Sequence, residues 1–139
     1  KNDWSISKGL KETKRKVRII LSVPSLDTSV CDRETHRFND EASKLGRGIA
    51  IMVVSMDLPV AQKRWCGAAG VDQVITVSDA VKADFGKKYG TLMKEVRLLR
   101  RAVFIVNKKG IVTYVAYMPA NGDEPNYEEV LEAAKNALG

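Results

Sequence analysis

The chain has 139 residues, enough for one domain with a core of its own and too few for two. Its 45% hydrophobic and 29% charged residues are ordinary for a globular protein, and no apolar run approaches membrane-spanning length. A net charge of +6 permits acidic partners without marking a nucleic-acid binder, and two cysteines allow one disulfide at most, too few for a stapled secreted scaffold.

Residues 1–16 are polar and lysine-rich, with Trp4, Ile6 and Leu10 as the only large apolar groups. The basic run Lys11–Arg18 lacks the aromatic or glycine interleaving of a nucleic-acid-binding segment, so it reads as a solvated lead-in. Leu10 and Val17 suggest a short helical turn packing on a sheet. Because position 1 is Lys rather than Met, the expectation is a fragment of a longer protein.

Residues 17–23 are β-branched and mostly apolar, a buried strand. A loop bearing Pro24 follows, then a helix with Val30, Phe38, Ala42 and Leu45 at near-helical spacing, ended by Gly46-Arg47-Gly48. Residues 49–55 are apolar on both faces, as in a parallel strand covered on both sides. Pro59 suits the first turn of the next helix, which carries Ala61, Arg64, Trp65 and Cys66 and should stop at Gly67. Residues 74–78 read as a third strand and 79–89 as a short helix ended by Gly90, whereas 91–99 fit no single pattern and suggest an excursion over the domain. Residues 101–106 and 111–117 flank Asn107-Lys108-Lys109-Gly110, a β-hairpin. Asn126 caps a last helix to Leu138, with Tyr127, Val130, Leu131, Ala134 and Leu138 on one face. The order β-α-β-α-β-α-β-β-α gives a parallel core, a C-terminal β-hairpin and helix, and helices on both faces of a mixed sheet: an α/β, thioredoxin-like fold.

The chemistry centres on Cys31. Asp27, Thr28 and Ser29 are all N-cap residues, so the cysteine falls in the first turn of a helix at the exit of a strand. Free cysteine, with a pKa of about 8.5, is a few per cent thiolate at neutral pH, and the positive end of a helix favours the charged form. Asp27 and Asp32 work against a second negative charge, so a cation from elsewhere in the chain is needed. Arg100 and Arg101 are candidates; Arg101 shares strand parity with Val103 and Ile105, and Arg100 faces the other way. Cys66 either packs beside Trp65 or approaches Cys31, and spacing alone does not choose. His36, five residues from Cys31 on one helix, is not placed to pair with it and should be solvated. Two cysteines and one histidine make no zinc site, and no Gly-rich phosphate loop or Ser-His-Asp set is present.

Pro24-x-x-x-Thr28-x-x-Cys31 resembles the active-site motif of peroxiredoxins, and the longer Pro24-Ser25-Leu26-Asp27-Thr28-Ser29-Val30-Cys31 is similar to their thiol peroxidase branch, the atypical 2-Cys class. Residues 57–67 resemble the resolving-cysteine region of that branch, and Arg101-Ala102-Val103 matches the arginine that opens its pocket strand. The resemblance runs from Val17 onward; Ser29 stands where many relatives carry Pro or Gly. It implies a peroxidatic Cys31, a resolving Cys66 forming an intramolecular disulfide with it, and Thr28 hydrogen-bonding the thiolate or peroxide. It further implies a shielding Pro24 and an Arg101 that points at the peroxide. Hydroperoxides would be the substrate and thioredoxin the reductant, with no metal, haem or flavin cofactor. The expected assembly is a cytoplasmic homodimer, with no nucleic acid or membrane partner. One domain would occupy residues 1–139, lacking an N-terminal part that such domains carry. A thiol-based redox sensor using the same cysteine pair is the competing reading, and a basic nucleic-acid-binding module is a third.

Overall fold

The computed structural model describes residues 11, 13–120 and 122–138. Strand β1 (Val17–Ser22) lies at the centre of a five-stranded sheet ordered β3-β2-β1-β6-β7. Its parallel neighbour is β2 (Ile49–Ser55), which pairs in parallel with β3 (Ile75–Ser78). On the other side β6 (Ala102–Val106) runs antiparallel to β1 and forms the predicted hairpin with β7 (Val112–Tyr117). Helix α1 (Ser29–Leu45) crosses from β1 to β2, α2 (Pro59–Ala69) from β2 to β3, and α3 (Asp84–Lys88) follows β3. Residues 91–99 fold into a two-stranded ribbon, β4 (Leu92–Met93) with β5 (Leu98–Leu99). Helix α4 (Tyr127–Ala137) closes the chain.

Strand alternation sorts the core into two layers. Val17, Ile19 and Leu21 of β1 face one side, where they meet Phe38 of α1 and Val130, Leu131 and Ala134 of α4. Ile20 faces the other, with Met52, Val54, Phe104 and Val106, covered by Phe85 of α3, Tyr89 at its C-cap and Leu99 of the ribbon. All residues of β1, β2 and β6 are buried, as continuous apolar runs require when both faces are covered.

Several local expectations differ. Helix α2 passes through Gly67 and ends at Gly70, which adopts the left-handed conformation of a C-cap. Helix α3 starts at Asp84, not 79, because Ala83 is left-handed and the Asp79 carboxylate instead accepts from the Phe85 and Gly86 N–H groups, at 3.0 and 2.8 Å. Arg18 is no solvated lead-in residue: it is buried, with Nε donating to Thr13 Oγ1 at 3.0 Å. Leu138 is exposed beyond the end of α4. Leu10, on which the predicted turn rests, lies outside the described residues.

Asn126 caps α4 as expected, its side chain accepting from Glu129 N–H at 3.1 Å. Asn126→Ala should cost about 1 kcal/mol, lowering the thermal midpoint by roughly 4 °C in a calorimetric scan.

Candidate active site

The loop between β1 and α1 is fixed before it reaches the cysteine. Val23 N–H bonds to the Val54 carbonyl at 3.0 Å, Pro24 is buried, and Leu26 sits in the core. The Asp57 carboxylate, just past β2, accepts from Ser25 Oγ at 2.7 Å and from Leu26 N–H at 2.9 Å. The Ser25 carbonyl in turn accepts from Thr28 N–H at 3.2 Å and Thr28 Oγ1 at 2.8 Å. Thr28 is the N-cap of α1 by backbone conformation, without a side-chain cap bond. With its hydrogen given to Ser25, its hydroxyl offers lone pairs, an acceptor for an incoming O–H.

Cys31 is wholly buried in the first turn of α1. Arg101, immediately before β6 and also buried, donates from Nη2 to Cys31 Sγ at 3.2 Å. Its Nη1 donates to Glu34 Oε2 at 2.6 Å. Burial opposes the guanidinium charge, but Glu34 and Cys31 together more than offset this and hold Arg101 still more firmly protonated. Burial pushes Glu34 up to about 7 against the pull of Arg101. One cation thus faces two acids in a site closed to water. Glu34 and the Cys31 sulfur draw on the same guanidinium.

Arg100, as strand parity requires, turns the other way: Nε and Nη2 donate to the Met118 carbonyl at 3.2 and 3.1 Å, and the guanidinium lies over the Tyr117 ring. The carboxylate beside the thiol is neither Asp27, which is exposed, nor Asp32, which lies 3.7 Å from His36 at the surface. His36 is half-exposed against Trp65. Cys66 is half-buried on α2, its Sγ 3.9 Å from Thr76 Oγ1 of β3, and burial pushes its thiol up, opposed by that contact. Both cysteines are free. Cys66 rests on β3 and Cys31 beside the start of β6, strands three places apart, about 14 Å across the sheet. A bond between them requires one of the two segments to move.

Sequence reasoning missed Glu34. The signal was present: it falls one turn after Cys31 and one before Phe38, a carboxylate on the buried stripe of α1. The role of Asp57 is not legible locally, because its bonds to Ser25 and Leu26 span about thirty residues. Among the described residues no cluster of His, Cys, Asp and Glu could hold a metal, and no helix is long and apolar enough to cross a membrane.

The Redoxin family profile matches residues 5–131. A thiol peroxidase of Halalkalibacterium halodurans is 51% identical over 129 residues, spanning 93% of this chain and 77% of its own length. The Bacillus subtilis thiol peroxidase is 49% identical over 92% of this chain and 76% of its own. The crystal structure of a peroxiredoxin-like protein from Aquifex aeolicus, 43% identical, superposes with a TM-score of 0.84 over 90% of this chain and 74% of that one.

The pH dependence of stability checks the electrostatics. Glu34 holds its proton up to about pH 7 when folded but only to its ordinary 4.5 when unfolded, so its contribution is full below 4.5 and is lost as pH rises towards 7. Relative to Glu34→Gln, the parent should lose on the order of 3 kcal/mol between pH 4.5 and 7.5 in urea titrations. A parent-minus-variant difference that stays flat across that window would contradict the assignment.

Proposed function

This chain belongs to the Redoxin family and is a thiol-dependent peroxidase of thioredoxin fold, and on that premise we propose that Cys31 is the sulfur that meets the peroxide. The observation that carries the reading is the Arg101 Nη2 donor 3.2 Å from Cys31 Sγ, both groups buried. A charge-assisted donor on sulfur favours the thiolate, as does the first turn of α1. The thiolate attacks the terminal oxygen of a hydroperoxide; the O–O bond breaks, an S–O bond forms, and the departing oxygen takes a proton and leaves as water or alcohol.

Thr28, its hydroxyl hydrogen engaged by Ser25, accepts the peroxide O–H and aligns the O–O bond with sulfur. Arg101 stabilises charge developing on the oxygens, and Pro24, buried and without an N–H, keeps water out. Cys66 then attacks the sulfenic acid, giving the disulfide and one water. Half-buried at the end of its helix, Cys66 is the sulfur open to a dithiol reductant, for which we propose thioredoxin in a reducing cytoplasm. Residues 1–139 form one domain in this reading, with a hydroperoxide as substrate. That the relatives are thiol peroxidases favours turnover over signalling by the same cysteine pair. The proposed assembly is a homodimer, supported by the exposed apolar Leu58, Val60 and Val81 around the start of α2 and the loop after β3. Sedimentation at micromolar concentration should give a dimer, and a monomer would count against it.

Single-turnover kinetics with one equivalent of peroxide test the assignment. Cys31→Ser should show no reaction, whereas Cys66→Ser should complete one reduction and stall as a sulfenic acid. Arg101→Met should slow the first step about 10²–10³-fold, with partial recovery at alkaline pH as thiolate returns, and Arg100→Met should change little. Equal loss of the first step in both cysteine variants would sink the roles given to them.

A further inference from the structure

Between the two cysteine segments lies a polar cluster that the steps above do not use. The Asp57 carboxylate takes three donors: Ser25 Oγ on Oδ1, and Leu26 N–H and Ser55 Oγ, at 2.9 and 2.7 Å, on Oδ2. Ser55 Oγ accepts in turn from Gln62 Nε2 at 3.0 Å, and the same amide nitrogen donates to the Val77 carbonyl of β3 at 2.9 Å. Ser78 Oγ at the end of β3 donates to the Asp57 carbonyl. The chain of bonds therefore runs from the loop before Cys31 through β2 to α2 and β3.

Gln62 and Cys66 are four residues apart on one face of α2, and each reaches β3: Gln62 to Val77, Cys66 to Thr76. The two bonds from Gln62, to Ser55 of β2 and Val77 of β3, tie this part of α2 to the sheet. Gln62 is also a costly residue for mere filling. It is 1% exposed, and its Oε1 has no hydrogen-bond partner among the described residues. An apolar side chain of similar volume would fill the space without stranding a buried acceptor.

We propose that Asp57, Ser55 and Gln62 are positioning residues forming a two-sided latch: Asp57 holds the Cys31 loop for reaction with peroxide, and release of Gln62 from Ser55 and Val77 gates the approach of Cys66. The proposal rests on the roles given to the two cysteines above. It divides the cluster by step. Asp57 acts on the peroxide step through Ser25 and Thr28. Gln62 acts on the disulfide step, in which the Cys31 sulfenic acid and the Cys66 thiol give a disulfide and water.

Gln62→Met keeps the volume and removes both bonds. In single turnover with hydrogen peroxide, its disulfide-forming step should accelerate about fivefold for each hydrogen bond released, with the peroxide step moving less than twofold. Asp57→Asn retains one oxygen for Leu26 N–H and Ser55 Oγ and can donate to Ser25, so it should preserve the peroxide step, whereas Asp57→Ala should slow it about tenfold. An unchanged or slower disulfide step in Gln62→Met overturns the latch. So do equal changes in both steps, which mark a cluster that only stabilises the fold. Cys31→Ser run alongside and still consuming peroxide would instead overturn the cysteine assignment, a separate result.

Discussion

The arrangement depends on one buried guanidinium. Arg101 is 1% exposed, and burying an unpaired charge costs several kcal/mol. The site meets that cost with two acidic partners, Glu34 at 2.6 Å and the Cys31 sulfur at 3.2 Å. Neither acid is independent of the other, because each competes for the same cation. The pair Glu34–Arg101 therefore does more than anchor the arginine. It also takes up part of the guanidinium charge, and burial, by inclining Glu34 to hold a proton, reduces the part it takes.

Backbone geometry delivers these three groups to one point. Cys31 and Glu34 come from the first turns of α1, one turn apart on its buried face, and Arg101 comes from the mouth of β6. β1 and β6 are adjacent, so the loop leaving β1 and the residue entering β6 meet at the same sheet edge. An antiparallel partner at this position is what makes that possible: β6 begins where β1 ends, with Ser22 opposite Ala102. A parallel strand there would have delivered its first residue to the far edge.

The same edge holds the Asp57 cluster, contributed by β2 and the start of α2. Its bonds constrain the Pro24–Thr28 loop from the side opposite Arg101. The cysteine is thus set between a charge partner and a hydrogen-bonded frame. The first tunes sulfur, and the second fixes the geometry in which sulfur is presented. Cys66 lies across the sheet from this centre, resting on β3.

The sequence by itself determined the strands, most of the helices and the hairpin, because each is written in local periodicity. Residues 49–54 are apolar throughout, Pro59 opens α2, and Gly110 turns β6 into β7. It also determined that Arg101 and Arg100 face opposite ways, since strand alternation needs only a count from Val103 and Ile105, while the resemblance pointed to Arg101 as the one at the cysteine. The motif from Pro24 to Cys31 marked the family. What only the tertiary structure decided are the partners distant in the chain. Glu34 became the competing acid in place of Asp27 and Asp32 because burial, not proximity in sequence, controls the strength of a charge interaction. Asp57 and Gln62 acquired their bonds because two crossover connections end at one sheet edge, a coincidence in space that no local pattern encodes.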